Sequence, residues 1–289
     1  MIKLRNQISF TRIGRAWMIL VLAAAAWLLI LTPQLTAQDQ DELALASRAA
    51  SADTPHGSST NHLKATLGAG VATAPEFEGS KKNEAVFVPV IELAYDRLFL
   101  STSNGLGYRI IDTDLWTVAP SVRYRAGRDE DDSALLRGMG NLDPGLAAGA
   151  MVSYHPSDLS LFLNGYQGFG DVEGLTLEVG AAYSRQLMAS LNASAQVSTM
   201  FSDQKYNQLF FGVSRQQAGR SGYRLYEPDS GFKHVALGGS VSYSLTQSVN
   251  VGVFGEYKLL TGPAADSPLV ERGSKNQFTS GLMLGFNLK

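Results

Sequence analysis

Asn276–Lys289 reads NQFTSGLMLGFNLK. At period two, Phe278, Ser280, Leu282, Leu284, Phe286 and Leu288 share one face. Gln277, Thr279, Gly281, Met283, Gly285 and Asn287 share the other. The first face is apolar apart from a serine, and the second is small or polar. A soluble sandwich strand shows such alternation when a second layer covers its apolar side, and no segment follows here to supply one. A transmembrane barrel gives the pattern a direct cause. Lipid takes the apolar face, the lumen takes the polar one, and closure leaves no backbone edge unpaired. A final strand must then pair with the first.

Working outward, the same texture extends back to Leu63. Leu63–Thr73 alternates weakly. Ala85–Tyr95 puts Phe87, Pro89, Ile91, Leu93 and Tyr95 on one face and Glu92 on the other, with a bulge expected at Pro89 because proline gives no ladder bond. Arg97–Tyr108 reads as one strand. In Leu115–Ala126, Trp116, Val118, Pro120, Val122 and Tyr124 oppose Thr117, Ala119, Ser121, Arg123 and Arg125. Gly127–Pro144 is a long acidic connection. Hairpins follow over Gly145–Gln167, Leu175–Met200 and Lys233–Leu260, with Tyr206–Val213 as a short strand, 214–232 as a loop, and 261–275 as the last loop. No helical period is sustained after Leu63, and short strands between turn signals predict an all-β sandwich or barrel.

Charge decides between them. Lys64, Glu92, Arg123, Arg125, Glu178, Glu256, Lys258 and His234 all fall on the non-aromatic face of their strands. Only 17% of the residues are charged, against about a quarter in a typical soluble domain. The expected fold is therefore an antiparallel up-and-down transmembrane β-barrel. Counting Tyr206–Val213 gives about 12 strands, and merging or discarding a segment within Ala85–Tyr108 gives 10. Single-chain bacterial barrels have an even count. Twelve counted this way puts Gly127–Pro144 on the periplasmic side, and ten puts it outside.

The remaining composition sets bounds. The 289 residues carry a net charge of −2, 29 Gly and no Cys. No basic stripe exists to neutralise phosphates, which argues against nucleic acid as a partner. Without Cys there is no disulfide scaffold, thiolate metal site or lipidated N-terminal cysteine. Lys3, Arg5, Arg12 and Arg15 precede an apolar run from Ala16 to Leu31, and Leu35-Thr36-Ala37 ends in a small residue. Residues 1–37 thus read as a secretory signal peptide. Residues 38–62 read as a flexible periplasmic leader with a helical turn near Asp41–Arg48, and residues 63–289 as the barrel.

Several loop sequences resemble the MipA/OmpV outer-membrane proteins, over roughly Leu63–Phe286. Pro75-Glu76-Phe77-Glu78-Gly79-Ser80 is similar to the first-loop pattern of that family. Gly127-Arg128, then Leu136-Arg137-Gly138-Met139-Gly140, is similar to its central connection. Phe211-Gly212-Val213, Gln217-Ala218, Ser221-Gly222 and Tyr226 follow its order, and Asp266-Ser267-Pro268-Leu269-Val270 resembles its last loop. Tyr223 stands where Leu is commoner. The closing strand also resembles the C-terminal assembly signal of outer-membrane proteins, although Asn287, Leu288 and Lys289 follow the aromatic Phe286. The resemblance implies the outer membrane of a Gram-negative bacterium and contact with its lipid. It further implies a scaffold linked to peptidoglycan remodelling, with a periplasmic murein transglycosylase and a murein synthase as partners.

Of the four His, His56 and His62 fall in or beside the leader, His155 in a turn, and His234 at a strand start, where Ser221 or Ser230 could come near. No triad signature accompanies them, so the expectation is a protein that is not an enzyme and holds no cofactor. Asp129-Glu130-Asp131-Asp132 lacks the alternating ligands and central Gly of an EF-hand loop and reads as a solvated acidic loop. The tyrosines and tryptophans read as interfacial anchors. Glu92, Arg123, Arg125, Glu178, Glu256 and Lys258 are candidate lumen-lining residues. They either form ion pairs in a narrow, plugged barrel or line a porin-like channel for small solutes or antibiotics.

Overall fold

In the computed structural model, residues 40–50 and 63–288 are the ones the structure describes, all within one compact unit. The expected signal segment lies outside them, as do His56 and His62.

Twelve antiparallel staves close into a cylinder. They are β1 (Lys64–Pro75), β2 (Asn83–Tyr95), β3 (Leu98–Ser101), β4 (Gly105–Tyr108, resumed at Ile111–Asp112), β5 (Trp116–Arg125) and β6 (Gly145–Tyr154). Then come β7 (Leu159–Gly168), β8 (Gly174–Met188), β9 (Leu191–Ser202), β10 (Gly231–Ser244), β11 (Val249–Leu260) and β12 (Asn276–Leu288). Each pairs with its chain neighbours, and β12 pairs with β1 from Ala65↔Leu288 to Thr73↔Ser280. Two-residue contacts, Leu106↔Val122 and Ile111↔Val118, begin the β4–β5 pairings that complete the ring.

The closing strand divides as its sequence predicts. Leu282 is 58% exposed and Leu284 41%, whereas Met283 between them is 1% exposed. Around the cylinder Leu67, Val71, Phe87, Val122, Leu163, Val179, Leu237 and Val253 point outward as well. Water would disfavour such a belt, and a hydrocarbon layer removes the penalty. Trp116, Tyr183 and Tyr243 lie exposed near one end, and Trp116 stacks at 4.8 Å on Tyr154, its register partner. This is the placement of an interfacial aromatic girdle. Among the described residues no helix is long and apolar enough to cross a membrane. The strands do the crossing.

At one end the connections are short (96–97, 113–115, 155–158, 189–190 and 245–248), and both Leu63 and Leu288 lie there. Asp96 takes a φ of 52° in its two-residue turn, the left-handed conformation such hairpins require and Asp tolerates. At the other end lie 76–82, 126–144, 203–230 and 261–275. Short turns mark the periplasmic end of a bacterial barrel, and long loops the outside.

Four expectations need correction. Tyr206–Val213 is not a strand, because α2 (Gln204–Phe210) occupies it. Asp203 caps α2 by accepting the Tyr206 N–H at 2.9 Å, and Tyr206 stacks on Phe210 one turn later at 4.5 Å. Arg97–Tyr108 is not one strand. Thr102-Ser103-Asn104 turns the chain between β3 and β4, helped by the Asn104 N–H to Ser101 Oγ bond at 2.9 Å and by Gly105 at φ 70°. Twelve staves are therefore reached with a different set of segments, and five of them precede Gly127–Pro144. That connection lies at the outer rim, not in the periplasm. Pro89 forms no bulge: β1 and β2 stay in register through Ala69↔Pro89. Ile91 bonds towards the β3 side through Thr102, so Pro89, two residues away, aims its missing donor the same way, beyond the last paired residue of β3.

Residues 40–50, within the expected leader, form a helix that extends the turn expected near Asp41–Arg48. This helix, α1 (Gln40–Ala50), lies inside the cylinder against β1, β2, β10, β11 and β12.

Candidate functional site

The motif positions of the loops all come together at the outer rim. Phe77 is buried in a cluster with Leu136, Met139, Val213, Tyr223 and Leu269, so four separate loops meet there. Pro75 ends β1 at this rim. Gly79, at φ 107°, donates to Gln277 Oε1 at 3.0 Å and accepts from the Ser274 N–H at 2.8 Å. A Cβ there would meet Val270 at 2.7 Å. Ser80 Oγ accepts from the Lys82 N–H, and Ser133 Oγ donates to Glu76 at 2.7 Å, tying the first loop to the central one.

Gly127 passes so near Leu142 O that a Cβ would sit 1.8 Å from it, and Arg128 bridges to Leu142. Arg128 Nη1 donates to Phe210 O at 2.8 Å, and burial pushes its guanidinium down to about 10 against the pull of Asp132. Gly138 and Gly140 have φ of 85° and 75° and both donate to Glu130 Oε2, at 3.1 and 2.8 Å. The acidic run is thus engaged locally, with Asp129 and Asp132 accepting from backbone N–H groups of that run.

Beyond α2, Gly212 packs on Gln208. Ser214 and Gln217 form a capping box for α3 (Arg215–Ser221), Ser221 Oγ donates to Gln217 O, and Gly222 ends the helix at φ 73°. Gln217 Nε2 reaches Met139 O at 2.7 Å, and Tyr223 Oη reaches Leu135 O at 2.9 Å. Tyr226 bridges to Val213 and donates to Pro263 O. Two short helices follow, α4 (Gly262–Ala265) and α5 (Pro268–Arg272). Asp266 ends α4, Ser267 caps α5 and donates to Phe211 O at 2.6 Å, and Pro268 takes the first turn of α5, where its missing N–H costs nothing. The loops form one interlocked cap.

Beneath the cap the charged candidates point inward and are buried. Arg125 donates to Val172 O, Gly174 O and Thr176 Oγ1 at 2.9–3.1 Å. Arg123 lies 3.8 Å over the Tyr166 ring, whose hydroxyl meets Ser121 at 2.7 Å. Glu178 accepts from Asn164 at 3.1 Å, and Lys258 pairs with Glu256 at 3.4 Å. The sequence reading missed Lys233. It is fully buried and pairs with Glu78 at 2.9 Å, with His234 3.8 Å from the same carboxylate. Alternation with His234 would send Lys233 to the lipid face, and the register shift opposite Met200/Phe201 turns it inward to Glu78 of the first loop, neither of which the sequence announces. These pairs hold a polar lumen together where a lone buried charge would be costly.

Glu92 meets α1. Its carboxylate accepts from Ser47 Oγ at 2.7 Å. Leu45, Ala46, Ala49 and Ala50 form a buried cluster with Val88, Val90, Phe254 and Met283. Near the periplasmic mouth His155 has Ser160 Oγ 2.9 Å from Nδ1 and Thr117 Oγ1 3.5 Å from Nε2, with Asp112 acting on it by charge.

The family model described as MltA-interacting protein MipA matches residues 67–287. The MltA-interacting protein of Escherichia coli (strain K12) is 25% identical over 230 residues, covering 77% of this chain and 90% of that protein. The protein of the same name from Shigella flexneri matches equally. Among solved structures, the NanC porin aligns with a TM-score of 0.41 and 9% identity over 78% of this chain and 100% of its own. A bacterial polysaccharide outer membrane secretin gives 0.41 and 10% over 79% and 99%. The closed strand pairing, the apolar outer belt and the family match place the protein in the outer membrane of a Gram-negative bacterium. The chain belongs to the MltA-interacting protein MipA family.

Proposed function

We propose that this barrel is a non-enzymatic docking protein that holds a murein transglycosylase, and with it a murein synthase, at the inner face of the outer membrane. The observation that carries this reading is the occupied lumen. The loops lock at one rim, α1 lies inside the wall, and the lumen charges are engaged with one another or with the wall. Such an interior suits a protein that works through its surface. The name of the relatives supplies the partner class. Gly127–Pro144 lies at the outer rim and is no part of the contact, which leaves the short-turn end to the partner.

Affinity capture tests the reading. Purified barrel in mild detergent should retain a lytic murein transglycosylase from periplasmic extract, and should still do so after residues 129–141 are replaced by a short Gly-Ser linker. Recovery of no murein enzyme by the intact barrel overturns it. A porin-like channel is the second reading, favoured by the inward register of Arg123, Arg125, Glu178, Glu256 and Lys258.

A further inference from the structure

The wall beneath α1 is shaped for a helix. Gly252 in β11 and Gly285 in β12 face the lumen, and a Cβ on either would lie 2.0 Å from Ala49 O or 1.8 Å from Ala50 O. A Cβ on Gly238 would lie 2.4 Å from Leu45, and one on Gly68 3.2 Å from the Ala50 Cβ. Neither Gly252 nor Gly285 has a positive φ, so no turn requires glycine there. Close approach of a backbone does.

A second observation concerns what α1 covers. Asn250 lies one lumen-facing position from Gly252 and pairs in register with Gly285. It is 1% exposed, and among the described residues neither Nδ2 nor Oδ1 has a hydrogen-bond partner. A buried amide without partners is a standing cost that water would relieve. Among the described side chains, α1 meets the wall through alanines, Leu45 and the Ser47–Glu92 bond. A helix of 11 residues is marginal alone. The loop cap, by contrast, is cross-tied by many hydrogen bonds and two apolar clusters.

We propose that α1 is a displaceable plug, a segment of the chain that closes the periplasmic half of the lumen and can withdraw from its glycine seat without unfolding the barrel. Withdrawal hydrates Asn250 and frees Glu92 from Ser47, opening a polar chamber to the periplasm while the cap stays shut. This does not rest on the docking reading.

The natural absence of Cys makes the test direct. Asn250→Cys places a single thiol under α1, and a membrane-impermeant cationic thiosulfonate reports its accessibility. Two backgrounds unseat the helix: Gly252→Ala with Gly285→Ala, which intrudes on its backbone, and deletion of residues 40–50. Both should keep heat-modifiable gel mobility and label at least about ten-fold faster than the reporter alone, as expected when a protected site opens locally. Equal labelling in all three, whether slow or fast, overturns the proposal. So does failure of both backgrounds to fold, since α1 would then be part of the barrel and not a plug.

Discussion

At the residue scale, each strand residue answers to one of two solvents. Leu284 faces lipid and Asn287, three positions on, faces the lumen side, where it accepts from Thr66 Oγ1 at 2.8 Å. An Arg near the midplane of the lipid face costs roughly 2–4 kcal/mol, a large part of a typical folding free energy of about 5–15 kcal/mol. Leu284→Arg should therefore block assembly, with Leu282→Arg doing so to a lesser degree. Asn287→Arg should be tolerated, because a long cation near the rim keeps its head hydrated. Heat-modifiable mobility after refolding into lipid separates them, and equal refolding of Leu284→Arg and Asn287→Arg would contradict the face assignment.

His155 gives the same scale a pH dependence. It sits in a periplasmic turn, faced by Thr117, Ser160 and Asp112, and burial lowers its pKa below 6.5, with Asp112 opposing. As pH falls through the unfolded value, the unfolded chain takes up the proton first. The contribution of His155 to stability is therefore intact at neutral pH and is lost as pH drops below about 6.5. The urea midpoint of the wild type should fall more between neutral and mildly acidic pH than that of His155→Asn. Parallel falls would remove His155 as the cause.

At the scale of elements, local chemistry chose between strand and helix where alternation was weak. Alternation over Tyr206–Val213 predicts a short strand, yet Asp203 stands three residues before Tyr206, and Tyr206 and Phe210 are spaced one helical turn apart. Ser214-Arg215-Gln216-Gln217 with Gly222 downstream is likewise a readable helix start and stop, passed over inside a loop. The docking of α2 and α3 on the central loop was not legible, since it depends on four loops meeting in space. Ser214→Ala removes the α3 cap and should cost about 1 kcal/mol. Protease should then cut within 203–230 faster than in the wild type while the barrel itself persists. An unchanged cleavage rate would mean that packing alone holds α3.

For the whole molecule, period-two patterning carried the fold class and the facing of nearly every long strand, because lipid and lumen impose opposite demands on neighbouring residues. The strand order at β3 and β4 was not legible. Staves of four residues show too little alternation to declare themselves, so the turn at Thr102-Ser103-Asn104-Gly105 stays hidden within an apparent single strand over Arg97–Tyr108. That one turn, exchanged for the false strand at Tyr206–Val213, leaves the count at twelve and moves Gly127–Pro144 to the outer side. The seat of α1 was hidden for a similar reason. Gly68, Gly238, Gly252 and Gly285 lie on four different staves and form a groove only once the cylinder closes.

The closed lumen is the central claim, and planar-bilayer recording of the intact, refolded barrel tests it most directly. With α1 seated and the loops locked, the account predicts a membrane that holds inserted, heat-modifiable barrel yet shows no steady conductance steps. Sustained open steps from the wild type, with an ion preference that shifts in Arg123→Ala, would contradict it and make the barrel a channel.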